Sequence, residues 1–393
     1  MSDPTEPLLS LPLRDDRWAA VEARLDPHAP VPRLVFAAAH VVMKESYARI
    51  GHAPDRPGRP AEVLEHIDWE ATARFRVHLV AHGFGIAEAM DTAQRYEIGW
   101  HAARELIERC GRLAPATGFI AGAGCDQLEH LARASDLVDA VVEQCAFIRS
   151  CGGWAMILAM PWLSMHNADE QTYVDVYRAI IEQVEGPLFI HFLGPMFMPE
   201  LQGYFPGHAL QRIMDLDPAK IRGMKISMLD AELERVWRRR LAEREQIMLT
   251  GDDFHFGQMM LDEDVAGETM IDGRRAVFGD VSHGLLGIFD AIAAPASIAL
   301  RALGTGDRDS YTRIMDACEE LGRVVFEAPT KNYKAGLALL AYLNGLQDNA
   351  MLVNHVERTR SIEHYRRVIE AANRCGAIVD ARCAELRIRR LFA

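Results

Sequence analysis

Short apolar runs alternate along the chain with longer segments whose apolar positions recur every three to four residues. The runs at 34–38, 85–89, 117–121, 155–160, 188–192, 223–226, 246–249 and 276–278 have the length and continuous apolar character of buried parallel strands. Between them, 69–82, 96–109, 128–151, 169–184, 207–216 and 230–244 have the one-sided pattern of helices packed on a sheet. Strand starts lie roughly 30–50 residues apart, the size of a strand–helix unit. Eight such units predict an α/β fold, a (β/α)8 TIM barrel, in preference to an open doubly wound sheet. After the last strand the pattern turns helical, at 295–303, 307–327, 334–346 and 361–387. The expected organisation is an N-terminal extension over 1–30, the barrel over 31–300 and a C-terminal helical region over 301–393. No Gly-rich dinucleotide fingerprint or phosphate loop follows any strand, and the AGAGCDQ stretch lacks the third glycine.

Composition narrows the function. The 393 residues are 49% hydrophobic and 25% charged, enough for a large core and incompatible with a disordered or fibrous chain. A net charge of −13 argues against nucleic acid and anionic membranes as partners. No apolar run reaches the ~20 residues of a membrane span. The polar, acidic start has no signal-peptide pattern, so a cytoplasmic location is expected. The seven cysteines show no CxxC or zinc spacing, which suggests reduced, mostly buried thiols. The basic run 235–244 is flanked by glutamates and reads as a solvated helix face.

Only five of the 43 basic residues are lysines: Lys44, Lys220, Lys225, Lys331 and Lys334. Lys225 stands out because Ile221, Met224, Ile226 and Met228 make its segment a buried strand. A charged amine is costly there, and burial frees the neutral amine for attack on a carbonyl carbon to form a Schiff base. The competing reading is a strand-end lysine paired at the rim. Histidines fall near strand ends as well: His40, His191, His255 and His283. Strand C-terminal ends converge on one mouth in a barrel, so these could share a site.

Several motifs occur in the order found in the dihydrodipicolinate synthase / N-acetylneuraminate lyase family of class I aldolases, which the chain resembles from about Pro32 to Leu346. Ile67-Asp68-Trp69 resembles that family's helix start before strand two. GIAEAMDTAQ occupies the place of its GTTGE loop, with Asp91 and Thr92 at the two threonines. AMPWL resembles the strand-four segment, PLFIHFLG strand five, and Gly223-Met224-Lys225 the strand-six segment carrying the Schiff-base lysine. Thr250-Gly251-Asp252-Asp253, GTGDR and APTKNYKAGLALL resemble later landmarks. Within the superfamily the chain looks closest to an uncharacterised, divergent branch that shares the AMDTAQ segment.

The resemblance implies a lyase, an aldolase or dehydratase, working through a Schiff base on Lys225, without a cofactor, as a homodimer or homotetramer. Two departures reshape that expectation. The strand-four tyrosine that relays a proton in this family is replaced by Trp162 and Leu163, and neither does acid–base work. Asp91 replaces a threonine that recognises a keto-acid carboxylate and would repel one. The expected catalytic set is therefore Lys225, His191, Asp91 and Thr92, with His191 as proton shuttle. Glu88, Trp162, Asp252, His255, His40 and His283 are expected around a small carbonyl substrate, for which a sugar-derived compound fits. Two alternatives stay open. Glu88, Asp91, His191, Asp252 and His255 could hold a divalent metal, as in metal-dependent sugar isomerases or aldolases built on barrels. A non-catalytic metabolite-binding barrel is the third reading.

Overall fold

The computed structural model describes residues 12–26, 31–128, 130–261 and 264–392. The parts of the expected N-terminal extension at 1–11 and 27–30 lie outside the described residues, as do position 129, within the expected helix 128–151, and position 393. Ten strands follow in chain order: β1 (Val35–Ala38), β2 (Gly85–Glu88), β3 (Phe119–Ala123), β4 (Trp154–Ile157), β5 (Leu188–Leu193), β6 (Ile221–Ser227), β7 (Ile247–Thr250), β8 (Asp264–Ile271), β9 (Arg274–Asp280) and β10 (Ser282–Leu286). Eight of them close a parallel barrel in the order β1-β10-β7-β6-β5-β4-β3-β2, with helices between successive strands and further helices after the last, a (β/α)8 barrel.

Several helices begin where the sequence supplies an acceptor for otherwise unpaired amides. Asp68 accepts from the Ala71 amide, Asp169 from Thr172, Asp230 from Leu233 and Asp307 from Ser310. The expected tail helix 361–387 is two helices, Ile362–Cys375 and Ala381–Phe392, because Gly376 takes a left-handed conformation (φ 80°) that ends the first. In the helix Ala231–Ala242 the basic run is not wholly solvated. Arg238 is buried and its guanidinium pairs with Asp280, while Glu234 is buried against Thr250 and Ser282.

One strand expectation is corrected. The run 276–278 belongs not to the barrel but to the antiparallel hairpin β8–β9, and β10 is the eighth barrel strand. The hairpin turns on Asp272-Gly273, both at positive φ, which suits a tight two-residue turn. Its Ile271, Ala276 and Phe278 join Phe36, Ile120, Trp154, Phe189 and Leu249 in one apolar cluster, so the hairpin plugs the end of the barrel where the strands begin. The Trp154 indole donates to Asp272 at 3.2 Å and stacks on Phe189. Periodicity alone could not separate this strand from a barrel strand, because its inner face is just as apolar.

The second cluster fills the space between barrel and helices and runs on through the C-terminal helices. Residues 12–26 lie against those helices. The Trp18 indole donates to the Cys375 carbonyl at 2.8 Å, and Asn373 exchanges bonds with Pro12 and Arg14. The seven cysteines are free thiols, four of them buried. No helix among the described residues is long and apolar enough to cross a membrane.

Candidate active site

Side chains alternate along β6. Met224 and Ile226 join the outer cluster, whereas Lys225 and Ser227 point into the barrel. Both lie over β7's end at Gly251: a Cβ there would fall 2.3 Å from Ser227 Oγ, 2.7 Å from Lys225 Cε and 2.6 Å from the Ile226 carbonyl. Only glycine leaves room for the lysine at this point. Lys225 is 8% exposed. His191 pairs with it in register on β5 and is also buried. The His191 Nε2 meets Ser227 Oγ at 3.2 Å, and Nδ1 is buried with no hydrogen-bond partner. Burial, and then the Lys225 charge, hold this imidazole well below its ordinary pKa, so it is neutral.

A second group comes from the turn after β2 and from the C-terminal region. Asp91 accepts two bonds from Lys334 Nζ, at 3.0 and 2.9 Å. Thr92 Oγ1 lies 2.7 Å from the Tyr333 hydroxyl, and both residues are buried. Tyr333 stacks on Phe326, with centroids 4.2 Å apart, and the Lys334 ammonium sits 4.6 Å from the Tyr333 ring centroid. The expected repulsion of a carboxylate by Asp91 is therefore offset, because Lys334 neutralises it.

Asp253 connects the two groups. It is buried and accepts from the Ile288 amide at 2.9 Å, just beyond Gly287, where a Cβ would lie 3.0 Å from the Tyr333 ring and 3.5 Å from Thr92 Oγ1. Burial pushes its carboxyl pKa up, while the Ile288 amide and then Lys225 pull it back. Lys225 is the mirror case. Burial lowers its ammonium pKa, and Asp253, then Asp91, oppose the fall. Activity that needs the neutral amine will rise with pH, with the rise lying below the ordinary lysine range. Asp253→Asn removes an anion that favours the ammonium while keeping an acceptor for the Ile288 amide. We expect the rise to move to lower pH in a kcat/KM–pH profile; a shift to higher pH, or none, would contradict this coupling.

Asp91 and Lys334 also line a cleft of about 500 Å³, with Tyr96, Glu97, Phe197 and Lys331 among its other walls. The remaining expected residues do not join them. Glu88 alternates outward from β2 and forms a bidentate ion pair with Arg76 on the helix Trp69–Ala81, at 2.7 Å through both guanidinium nitrogens. His40 is enclosed beneath the C-terminal region, its nitrogens on Asp290 and Gln347 at 2.7 Å each. His283 lies at the plugged end: its Nδ1 accepts from the Leu34 amide and its Nε2 faces the Val277 carbonyl. Burial holds its pKa down at about 3. Asp252 spends its carboxylate on the Phe254 amide and on His255, near Glu234. Trp162 donates its indole N–H to the Leu131 carbonyl and stacks on His166. Of the five residues considered as metal ligands, Asp252 and His255 pair with each other while Glu88, Asp91 and His191 each have a different partner, and no three His, Cys, Asp or Glu side chains among the described residues form a group that could hold a metal ion.

Sequence reasoning passed over Asp253, Ser227, Tyr333 and Lys334 as chemistry. Asp253 stood beside the favoured Asp252, and only the strand-end turn decides which of the two faces Lys225. Tyr333 and Lys334 lay inside APTKNYKAGLALL, and the scarcity of lysine was the available signal.

A family model described as "Protein of unknown function (DUF993)" matches residues 11–393. No curated protein matches the chain. Among solved structures, dihydrodipicolinate synthase from Bacillus clausii superposes with a TM-score of 0.60 at 17% identity, over 88% of this chain and 98% of that one. YagE, an E. coli K12 prophage protein belonging to the dihydrodipicolinic acid synthase family and solved in complex with pyruvate, gives 0.56 at 12%, over 79% and 89%. A Sulfolobus solfataricus 2-keto-3-deoxygluconate aldolase variant gives 0.56 at 11%, over 91% and 99%. At these identities the likeness is one of fold, and it is the fold that the sequence resemblance implied.

Proposed function

Because the chain belongs to the DUF993 family, whose description assigns no activity, we propose its function from the site: a lyase that acts on a small carbonyl compound through a Schiff base at Lys225. One observation carries this reading. The amine of Lys225 is enclosed inside the barrel beside a neutral histidine whose second ring nitrogen is unpaired.

In this reading the neutral amine of Lys225 adds to the substrate carbonyl, and water leaves to give an iminium ion, an electron sink for bond cleavage on the next carbon. His191 Nδ1 is the free acceptor for the proton released as the enamine forms, from that carbon in dehydration or from the hydroxyl one carbon further on in aldol cleavage. The Asp91–Lys334 pair presents an acceptor and donors to hydroxyl or carboxylate groups on the rest of the substrate, which suits a sugar-derived carbonyl compound. Aldol cleavage and dehydration share the resulting enamine.

Borohydride reduction tests the reading. The protein is incubated with pyruvate, 2-keto-3-deoxygluconate or dihydroxyacetone, reduced, and its peptides are weighed. The expected result is one reduced adduct on the peptide carrying Lys225. Reduction that labels no peptide with any of the three, or labels only surface lysines, would sink it.

A further inference from the structure

A Schiff-base site needs a proton donor for the oxygen that departs from the carbonyl carbon. Around Lys225, the Ser227 hydroxyl is paired with His191 Nε2 and the Asp253 carboxyl accepts from the Ile288 amide, which leaves the groups further up the mouth. The strand-four segment offers Trp162 and Leu163, and Trp162 is turned to Leu131. Tyr204 lies behind that segment, but its hydroxyl is taken up by the Met160 amide and by Tyr177. Tyr96 borders the cleft, yet its hydroxyl has only a 3.5 Å contact with the Ala159 carbonyl. Tyr333 differs from all of these. It reaches the mouth from the C-terminal region, is 3% exposed, and pairs at 2.7 Å with Thr92. It also faces the same two carboxylates, Asp91 and Asp253, that face Lys225.

We propose that Tyr333 and Thr92 form the proton relay of this site, with the phenol supplied by the C-terminal region. The inference rests on the Schiff-base reading. Lys225 nitrogen bonds to the carbonyl carbon and the oxygen becomes a hydroxyl. The relay gives that hydroxyl a proton, the carbon–oxygen bond breaks, water departs, and the iminium ion remains. Solvent at the cleft returns a proton to the relay. Tyr333 is kept in its protonated, donating form by burial and by the neighbouring carboxylates. Stacking on Phe326 fixes the ring, so the hydroxyl is held in place whether or not substrate is present.

The test follows the time course of cyanoborohydride trapping with pyruvate and with dihydroxyacetone, on the full-length protein. Tyr333→Phe keeps the ring and its stacking and removes only the hydroxyl. The expected result is a trapping rate lower by about a hundredfold or more, the usual range for a lost general acid. The final extent of labelling and the thermal midpoint should match the parent, which a merely structural residue would not achieve. Thr92→Val should slow trapping similarly, and the double variant should be little slower than either, because the two hydroxyls act as one unit. Parental trapping rates in Tyr333→Phe, or a loss confined to Tyr96→Phe, would overturn the relay and leave Lys225 standing. If the parent protein traps neither probe, nor 2-keto-3-deoxygluconate, the Schiff-base reading falls and the relay falls with it.

Discussion

Lys225→Met should give a folded protein that forms no reducible adduct and turns over at least about a thousandfold more slowly, the scale of losing a covalent nucleophile. Methionine is unbranched and fills the same channel over Gly251, so the barrel keeps its packing. The substitution also removes an amine whose charged form burial opposes. What it leaves behind is Asp253, buried with Asp91 and Asp252 nearby and now without its cation. The sign of the stability effect follows. A carboxyl whose folded pKa lies above its unfolded value stabilises the fold while protonated, and that stability is lost as pH rises toward the folded pKa. Removing Lys225 raises the Asp253 pKa further, so the variant should melt close to the parent at pH 5 and fall behind it at pH 8. Thermal midpoints at the two pH values, with trapping and turnover, check this. Turnover within tenfold of the parent would remove Lys225 from the chemistry.

The second large effect concerns stability. Arg76 and Glu88 are joined behind the barrel wall at side-chain exposures of 3% and 0%. The guanidinium also donates to the His40 and Thr72 carbonyls, and the Ala89 amide donates to Glu88. Every polar atom of the pair is thus engaged in a place water does not reach. Arg76→Met strands the carboxylate there, and breaking such a pair costs about 3–5 kcal/mol. The double variant Arg76→Met/Glu88→Gln should recover much of the loss, because the uncompensated charge is gone. A single variant that unfolds at the parental denaturant concentration would show that Glu88 finds another partner. The strand end at Ala89 leads directly into Asp91 and Thr92, so the damage should reach the site as well.

Much of the architecture was legible in the chain. Seven of the eight barrel strands lie where continuous apolar runs predicted them, because a strand covered on both faces must be apolar throughout. The helix starts were legible too, since Asp68, Asp169, Asp230 and Asp307 supply the acceptor a first turn lacks. The eighth strand was not. The hairpin strand Arg274–Asp280 carries the same apolar signal as a barrel strand, and only its pairing shows that it plugs the barrel instead.

The site divides in the same way. Lys225 was legible because a lysine inside an apolar strand contradicts its surroundings. Glu88 was misread because β2 is too short to display its alternation, and a single residue of register carries a side chain to the other face. His40 and His283 were misread because nearness to a strand in sequence does not say which end of the barrel a side chain meets, or which partners enclose it. Tyr333 and Lys334 stand more than 100 residues from Lys225 in the chain, so no local pattern could link them to it. The sequence alone determined the barrel and the buried amine, since both follow from local periodicity and the cost of burying charge. Which groups face that amine was decided only by the tertiary structure, where strand register, barrel closure and the return of the C-terminal region bring distant residues together.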